Sequence, residues 1–447
     1  MLTEIANGDF SSHSFWLHVR EFAVPPSMIE TATARRRAGD WAGACAAAGV
    51  DVDLDLRALA RTHGQAMAGR VRADLRQLVP DLLRWHLPRI APDGLLRPGL
   101  TVTLARYDDP GPVHLVVRTP PAWADAGQRV SLALWDGSRS AVGDGRHPHP
   151  RPSRRFRLDL HRHLWDARRT DELRVRSSGD GPPALEPPGL GRGFAVDRWV
   201  AEAGILLAAE GRPAGPVSVH LGTRRRLVLD PAEPGWCMVA ARGAGAVAGL
   251  PVLPDAATRV LPDLELLRAG LISVDRLHPL IAAALVPGRS PTAPGRPSER
   301  RAGGPRLVLC RGARHRIGLV DGVLTALDHD PAQIRREELL AALTGTPLPC
   351  LQAIELAHRQ PECLDGVRER LNHGDAAGAL AVVEELLGPE ARLRDGALRH
   401  ELQAAALRRI DYGLFRAGLA GPGPGRVSPD DHRPRNGRSH PRHASAR

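Results

Sequence analysis

The side chains best suited to chemistry cluster in one stretch of the chain. His147-Pro148-His149 and His161-Arg162-His163 are two HxH elements. On an extended backbone, residues i and i+2 share a face. Each element would therefore set two imidazoles side by side, donors that suit zinc or another transition metal. Asp159 and Asp166 are near enough in sequence to add a carboxylate. The first pair sits among Arg146, Arg151, Arg154 and Arg155, whose charge opposes a cation, and reads as solvent-exposed loop histidine. His161 and His163 are the metal-ligand candidates, with Trp165 anchoring their segment in a core.

Other constellations are weaker. Asp51, Asp53 and Asp55 alternate with apolar residues and would share a strand face open to Mg²⁺ or Ca²⁺. Leu56 and Thr62 stand where an EF-hand needs Gly and Glu, so the simpler reading is a solvated strand whose last Asp caps a helix. Gly243-Ala244-Gly245-Ala246-Val247-Ala248-Gly249 is a GxGxxxG relative of the dinucleotide fingerprint. Pro251 and Pro254 interrupt the helix that such a site requires, and a turn or loop is expected. No GxSxG elbow occurs, and His400-Glu401 lacks the second histidine of a zincin motif. Cys45, Cys237, Cys310, Cys350 and Cys363 are odd in number and widely spaced, with no CxxC. They read as free thiols in a reducing compartment, and Cys45 and Cys363 as small buried apolar groups. Catalytic residues stay unassigned, and no cofactor is expected.

The charge is unusual in kind. The 61 basic residues of this 447-residue chain are all arginine. That excludes a P-loop lysine, a pyridoxal Schiff base and a kinase-type strand lysine. The formal net charge is +11, which would suggest nucleic acid if it lay on a folded face. Its excess lies instead in the Pro/Gly-rich stretches 137–155, 287–306 and 422–447, so contact with nucleic acid is expected to be weak and electrostatic. The first ten residues lack the basic and apolar regions of a signal peptide. The longest apolar run, Leu280 to Val286, is far short of a membrane span. A cytoplasmic protein without membrane contact is expected.

Periodicity places these residues on elements. Residues 1–96 read as a helical block. Gly39 stops a helix that follows Pro25-Pro26, Asp40 caps Trp41 to Ala48, and a long amphipathic stretch runs from Leu56 to Leu87, bent or ended by Pro80. Residues 97–286 form a mixed β/α region with loops at 137–155 and 177–193. In it Leu100–Tyr107, Val113–Arg118 and Val130–Trp135 alternate as an antiparallel meander. Arg155–Leu160 and Leu173–Arg176 are further candidate strands. Residues 196–211 and 261–286 look helical, with strands at Val217–Leu221, Arg226–Leu229 and Trp236–Ala240. A linker spans 287–305, a hairpin and an all-helical domain span 306–420, and 421–447 is a disordered basic tail. All eight tryptophans lie at or before Trp236, so the two halves must build their cores differently.

One motif recurs. Gly39-Asp40-Trp41-Ala42-Gly43-Ala44-Cys45-Ala46 and Gly374-Asp375-Ala376-Ala377-Gly378-Ala379-Leu380-Ala381 share GDxAGAxA. Gly would end one helix in the left-handed region and Asp would cap the next. Ala208-Ala209-Glu210-Gly211-Arg212-Pro213-Ala214 is a fainter echo. Locally each copy resembles the helix–turn–helix unit of tetratricopeptide repeats. The resemblance implies an αα-hairpin at each place and no more, because no regular array exists.

The expectation is an α+β protein with a helical N-terminal block, an antiparallel β-containing middle and an all-α C-terminal block, joined by flexible Pro/Gly/Arg-rich linkers. Its expected role is non-catalytic: a protein–protein interaction or scaffold protein presenting helical hairpins to another protein. The alternatives are a metal-dependent enzyme acting through His161 and His163, or weak nucleic-acid association through the Arg-rich arms.

Overall fold

The computed structural model describes residues 12–419 apart from 109–111, 126, 138–146, 178–192, 223–224, 233–234, 241–246, 288–305 and 346. Gly243 and Gly245 of the glycine motif, most of the 177–193 loop and of the 287–305 linker, and the tail 421–447 lie outside the described residues. The fold is α+β, and the chain divides into two compact units, residues 1–292 with 414–447 and residues 293–413.

The first unit begins with α1 (Ser12–His18), α2 (Pro26–Arg37), α3 (Trp41–Ala47), β1 (Val50–Val52), α4 (Leu56–His63), α5 (Gln65–Gln77) and α6 (Pro80–His86). The stretch Leu56–Leu87, expected as one long helix, is thus three. Gly64 ends α4 at φ +87°, and Leu78 and Val79 are non-helical. The Val79 N–H donates to the Trp165 carbonyl at 2.7 Å instead of continuing α5. Pro80 starts α6 rather than ending a helix, because its missing N–H costs nothing in a first turn.

A small ribbon, β2 (Arg89–Ile90) with β3 (Leu95–Leu96), leads into β4 (Thr101–Tyr107), β5 (Val113–Arg118) and β6 (Val130–Trp135). These last three form the expected antiparallel meander. Val117 stands opposite both Val102 and Leu132. Strand β1 adds in parallel to β6, Val50 opposite Val130, giving the order β1-β6-β5-β4. One core joins this sheet to the helices before it: Met67, Val71, Leu75 and Leu83 pack with Val102, Leu104, Leu115, Leu132 and Trp165. Residues 1–96 and the meander therefore share their interior.

Two candidate strands are not strands. Arg155–Leu160 is irregular. Phe156 and Leu158 are buried as alternation requires, but Arg155 and Arg157 turn to Asp255 and Asp159. Leu173–Arg176 lies in α7 (Glu172–Ser177). Four residues with two apolar positions fit either period, and here burying Leu173 alone satisfies the helix.

Next come α8 (Trp199–Ala209), the antiparallel sheet of β7 (Val217–His220), β8 (Arg226–Ala232) and β9 (Gly235–Ala240), then α9 (Asp255–Thr258), α10 (Pro262–Arg268) and α11 (Pro279–Leu285). Gly211 ends α8 at φ +67°, but a strand follows, so the third echo is not an αα-hairpin.

The second unit opens with three antiparallel strands, β10 (Arg306–Cys310), β11 (Ala313–Val320) and β12 (Val323–Ala326), where the sequence suggested only a hairpin. Five helices follow: α12 (Pro331–Thr344), α13 (Pro349–Arg359), α14 (Leu364–His373), α15 (Ala376–Leu387) and α16 (Ala397–Ala417). Val367, Leu371, Ala379, Val383 and Leu398 form their main core.

The two GDxAGAxA corners are the same construction. Gly39 and Gly374 take φ of +77° and +89°. Asp40 and Asp375 accept from the N–H of Gly43 and Gly378 at 2.8 and 2.9 Å. Arg35 and Arg370, five residues upstream, pair with those same carboxylates. The glycine three residues after each Asp is required: a Cβ there would lie 2.0 or 2.1 Å from the capping carboxylate.

Candidate functional site: a buried histidine pair in an arginine-walled cavity

His161 and His163 lie in a short 3-10 turn that precedes Trp165. Trp165 is fully buried and donates its indole N–H to the Leu158 carbonyl. This drags both imidazoles inward, and each is only 2% exposed. The rings lie 5.7 Å apart between centroids. Helix α8 brings Glu202 to them, with its Oε2 3.2 Å from His161 Nε2. Arg198 Nη2 is 3.3 Å from Glu202 Oε1 and Arg176 Nη1 is 3.6 Å from Oε2. Arg176 and Arg198 also donate to the carbonyls of Leu160 and Val175, which fixes both guanidiniums. Arg259 and Arg268 complete the wall of a cavity of about 50 Å³.

Charge states follow from this packing. Burial alone would raise the Glu202 carboxyl, but His161, Arg176 and Arg198 together outweigh it and hold it down at about 2. Burial lowers His161 against the opposing pull of Glu202. It lowers His163 further, to well below the usual imidazole range, with His161 and the arginines adding to the effect. Both rings are neutral at pH 7, the form a metal takes. Yet four guanidiniums line the cavity, and the Glu202 carboxylate is already shared among three partners. His161 and His163 belong to no group of three Cys, His, Asp or Glu ligand atoms lying within 4.8 Å of one another among the described residues. The cavity has room for a few waters or a small anion, whereas ligand-sized sites are roughly 300–1,000 Å³. Its clearest effect is to lock α7, α8 and the 161–164 turn together.

The other candidates are structural. His147 and His149 are not solvent-exposed. His147 Nε2 lies 2.9 Å from the Thr119 carbonyl, and Thr101 donates to the His149 carbonyl at 2.7 Å. Burial pushes His147 down to about 4. Arg154 donates to the Leu250 carbonyl and Arg155 pairs with buried Asp255 at 2.9 Å, so residues 147–155 are docked rather than loose. Asp51 accepts from Arg129, and Asp55 caps α4 through the Arg57 N–H. Asp74 ties β4 to the histidine turn by accepting from Tyr107 Oη at 2.7 Å and pairing with Arg162 and Arg168. Cys45 is buried and its thiol is pushed up to about 12 by burial, which makes it unreactive.

Glu202 and its arginines were not anticipated. The signal was present: Glu202 is the one charged residue in Trp199-Val200-Ala201-Glu202-Ala203-Gly204-Ile205-Leu206-Leu207, and a lone acid in an apolar helix demands a buried partner.

No protein-family model matches the chain, and neither curated proteins nor solved structures provide a match. Among the described residues, no single helix is long and apolar enough to cross a membrane.

Proposed function

We propose that the chain is a non-catalytic protein–protein interaction protein that docks an apolar helix of another protein on the second unit, residues 306–413. The observation that carries this reading is where apolar surface is left uncovered. Among the described residues, Val175, Val239 and Leu271 are the large apolar side chains exposed before Leu307, and all the others lie at or beyond it. Helix α12 buries none of its fourteen residues, and Leu339, Leu340 and Leu343 are 69%, 53% and 85% exposed. On α16, Leu407 and Ile410 stand exposed at i and i+3. That spacing is the stripe a partner helix engages. On the sheet, Leu307 and Leu309 line the outer face of edge strand β10. Exposed apolar area concentrated in this way marks an interaction surface. The small cavity beside His161 adds support, since its volume of about 50 Å³ is well short of the roughly 300–1,000 Å³ of ligand-sized sites.

The test compares the full chain with a Leu339→Asp/Leu343→Asp variant, each tagged and expressed in the source cells. Quantitative mass spectrometry after crosslinking should find a partner enriched by the parent and lost at least about tenfold from the variant, equal circular dichroism showing the fold intact. Equal recovery of the same proteins by both chains would overturn the reading.

A further inference from the structure

Three donors that lie far apart in sequence meet in the second unit. Cys310 ends β10, His329 lies between β12 and α12, and Cys350 sits in the first turn of α13. The two Sγ atoms and one ring nitrogen of His329 all lie within 4.8 Å of one another. Both cysteines are completely buried, and His329 is half-buried. His315 of β11 stacks on His329, centroids 4.4 Å apart and planes 13° from parallel, and so holds that ring in place. His329 Nε2 and His315 Nδ1 are buried without a hydrogen-bond partner. Buried polar nitrogens are ordinarily satisfied, and here an unpartnered imidazole nitrogen sits on the residue whose ring meets two buried thiols.

We propose that Cys310, His329 and Cys350 bind one zinc ion. Two sulfurs and an imidazole are the donor set zinc prefers, and a tetrahedral ion with Zn–S of about 2.3 Å sets its sulfurs roughly 3.8 Å apart. A shift of about 1 Å in the side chains therefore closes the site. Each thiol loses its proton to solvent as its Zn–S bond forms, the neutral imidazole gives its lone pair, and no electron is transferred. The fourth position is left to a solvent oxygen. Asp328 does not compete for it, because Arg316 holds its carboxylate through the backbone N–H and the guanidinium. The side chains that pack with the two cysteines are apolar: Ile317, Ala326, Leu348 and Ile354. That cluster has six buried side chains, two of them these cysteines. The ion would clamp the three-stranded sheet to α13 where apolar packing is thin. This inference stands apart from the docking reading and would survive its failure.

The experiment uses the full chain, chelator-treated and kept reduced, titrated with cobalt(II) and then with zinc. One equivalent of cobalt should give thiolate charge-transfer absorption with tetrahedral d–d bands, and one equivalent of zinc should erase them. Cys350→Ser and His329→Gln should each weaken binding by about 100-fold or more, and Cys237→Ser should leave it unchanged. His329→Gln alters a half-buried residue and so guards against a misfolded cysteine variant. Absence of the cobalt bands, binding that persists in both variants, or a Cys310–Cys350 disulfide in protein isolated without oxidant would each overturn the proposal.

Discussion

Two histidine neighbourhoods sit in the two units, and they differ in a way that decides what each can hold. In the first, His161 and His163 are two residues apart, yet tertiary packing gives them a carboxylate already claimed by Arg176 and Arg198 and a wall of further arginines. In the second, Cys310, His329 and Cys350 come from three separate places in the chain and converge within 4.8 Å of one another beside apolar side chains. Donor spacing along the chain is thus a poor guide to coordination. What counts is the charge around the donors and whether three of them converge.

After the metal titration, the largest effect is expected at Glu202. Glu202→Gln leaves the part-buried Arg176 and Arg198 without their counter-charge, and the loss should approach the roughly 3–5 kcal/mol of a broken buried pair. Urea unfolding of the first unit checks this, and a loss below about 1 kcal/mol would show that the cavity is well hydrated and its ions screened.

Acid should weaken the first unit before the second. His86, His147, His163 and His220 are all held below the normal imidazole range in the folded chain, burial being the leading cause in each. A depressed folded value means that stability is complete above pH 6.5 and declines as pH falls and the unfolded state takes up protons first. His86, pushed down to about 3, alone contributes about 2 kcal/mol of loss between pH 6.5 and 5, at 1.36 kcal/mol per pH unit. Glu202 adds a second decline between its ordinary value of 4.5 and about 2. Denaturation curves at pH 7.5, 6 and 5 should show this slope, and His86→Gln should flatten it. In the second unit, among the described residues, His358 is the one histidine with a resolved downward shift, and Asp328 the one carboxylate, held low by Arg316 at an exposed position, so its transition should move less.

The smallest changes concern the paired corners. Asp40→Ala and Asp375→Ala each remove a helix cap and should cost about 1 kcal/mol. The Asp375 side chain is 11% exposed and that of Asp40 is 41% exposed, so the second-unit corner should lose more in thermal or urea unfolding. Leu343→Asp, at an 85% exposed position, should change stability by no more than about 0.5 kcal/mol. A larger loss would mean that α12 is covered by the chain itself.

What the sequence alone determined is local. Gly39-Asp40 and Gly374-Asp375 announce their corners because a positive φ and an Asp cap depend on residues no more than five apart. The meander at Leu100–Tyr107, Val113–Arg118 and Val130–Trp135 is legible because one face of each strand must be buried. The absence of lysine excludes its chemistries without any coordinates. Tertiary structure decided the rest: the parallel seat of β1 on β6, the inward turn of His161 and His163 under Trp165, the partnership of Glu202 with Arg176 and Arg198, and the meeting of Cys310 with His329 and Cys350. Each depends on groups far apart in the chain. Charge state and ligand geometry follow from burial and from neighbours in space, and no periodicity in the chain encodes either one.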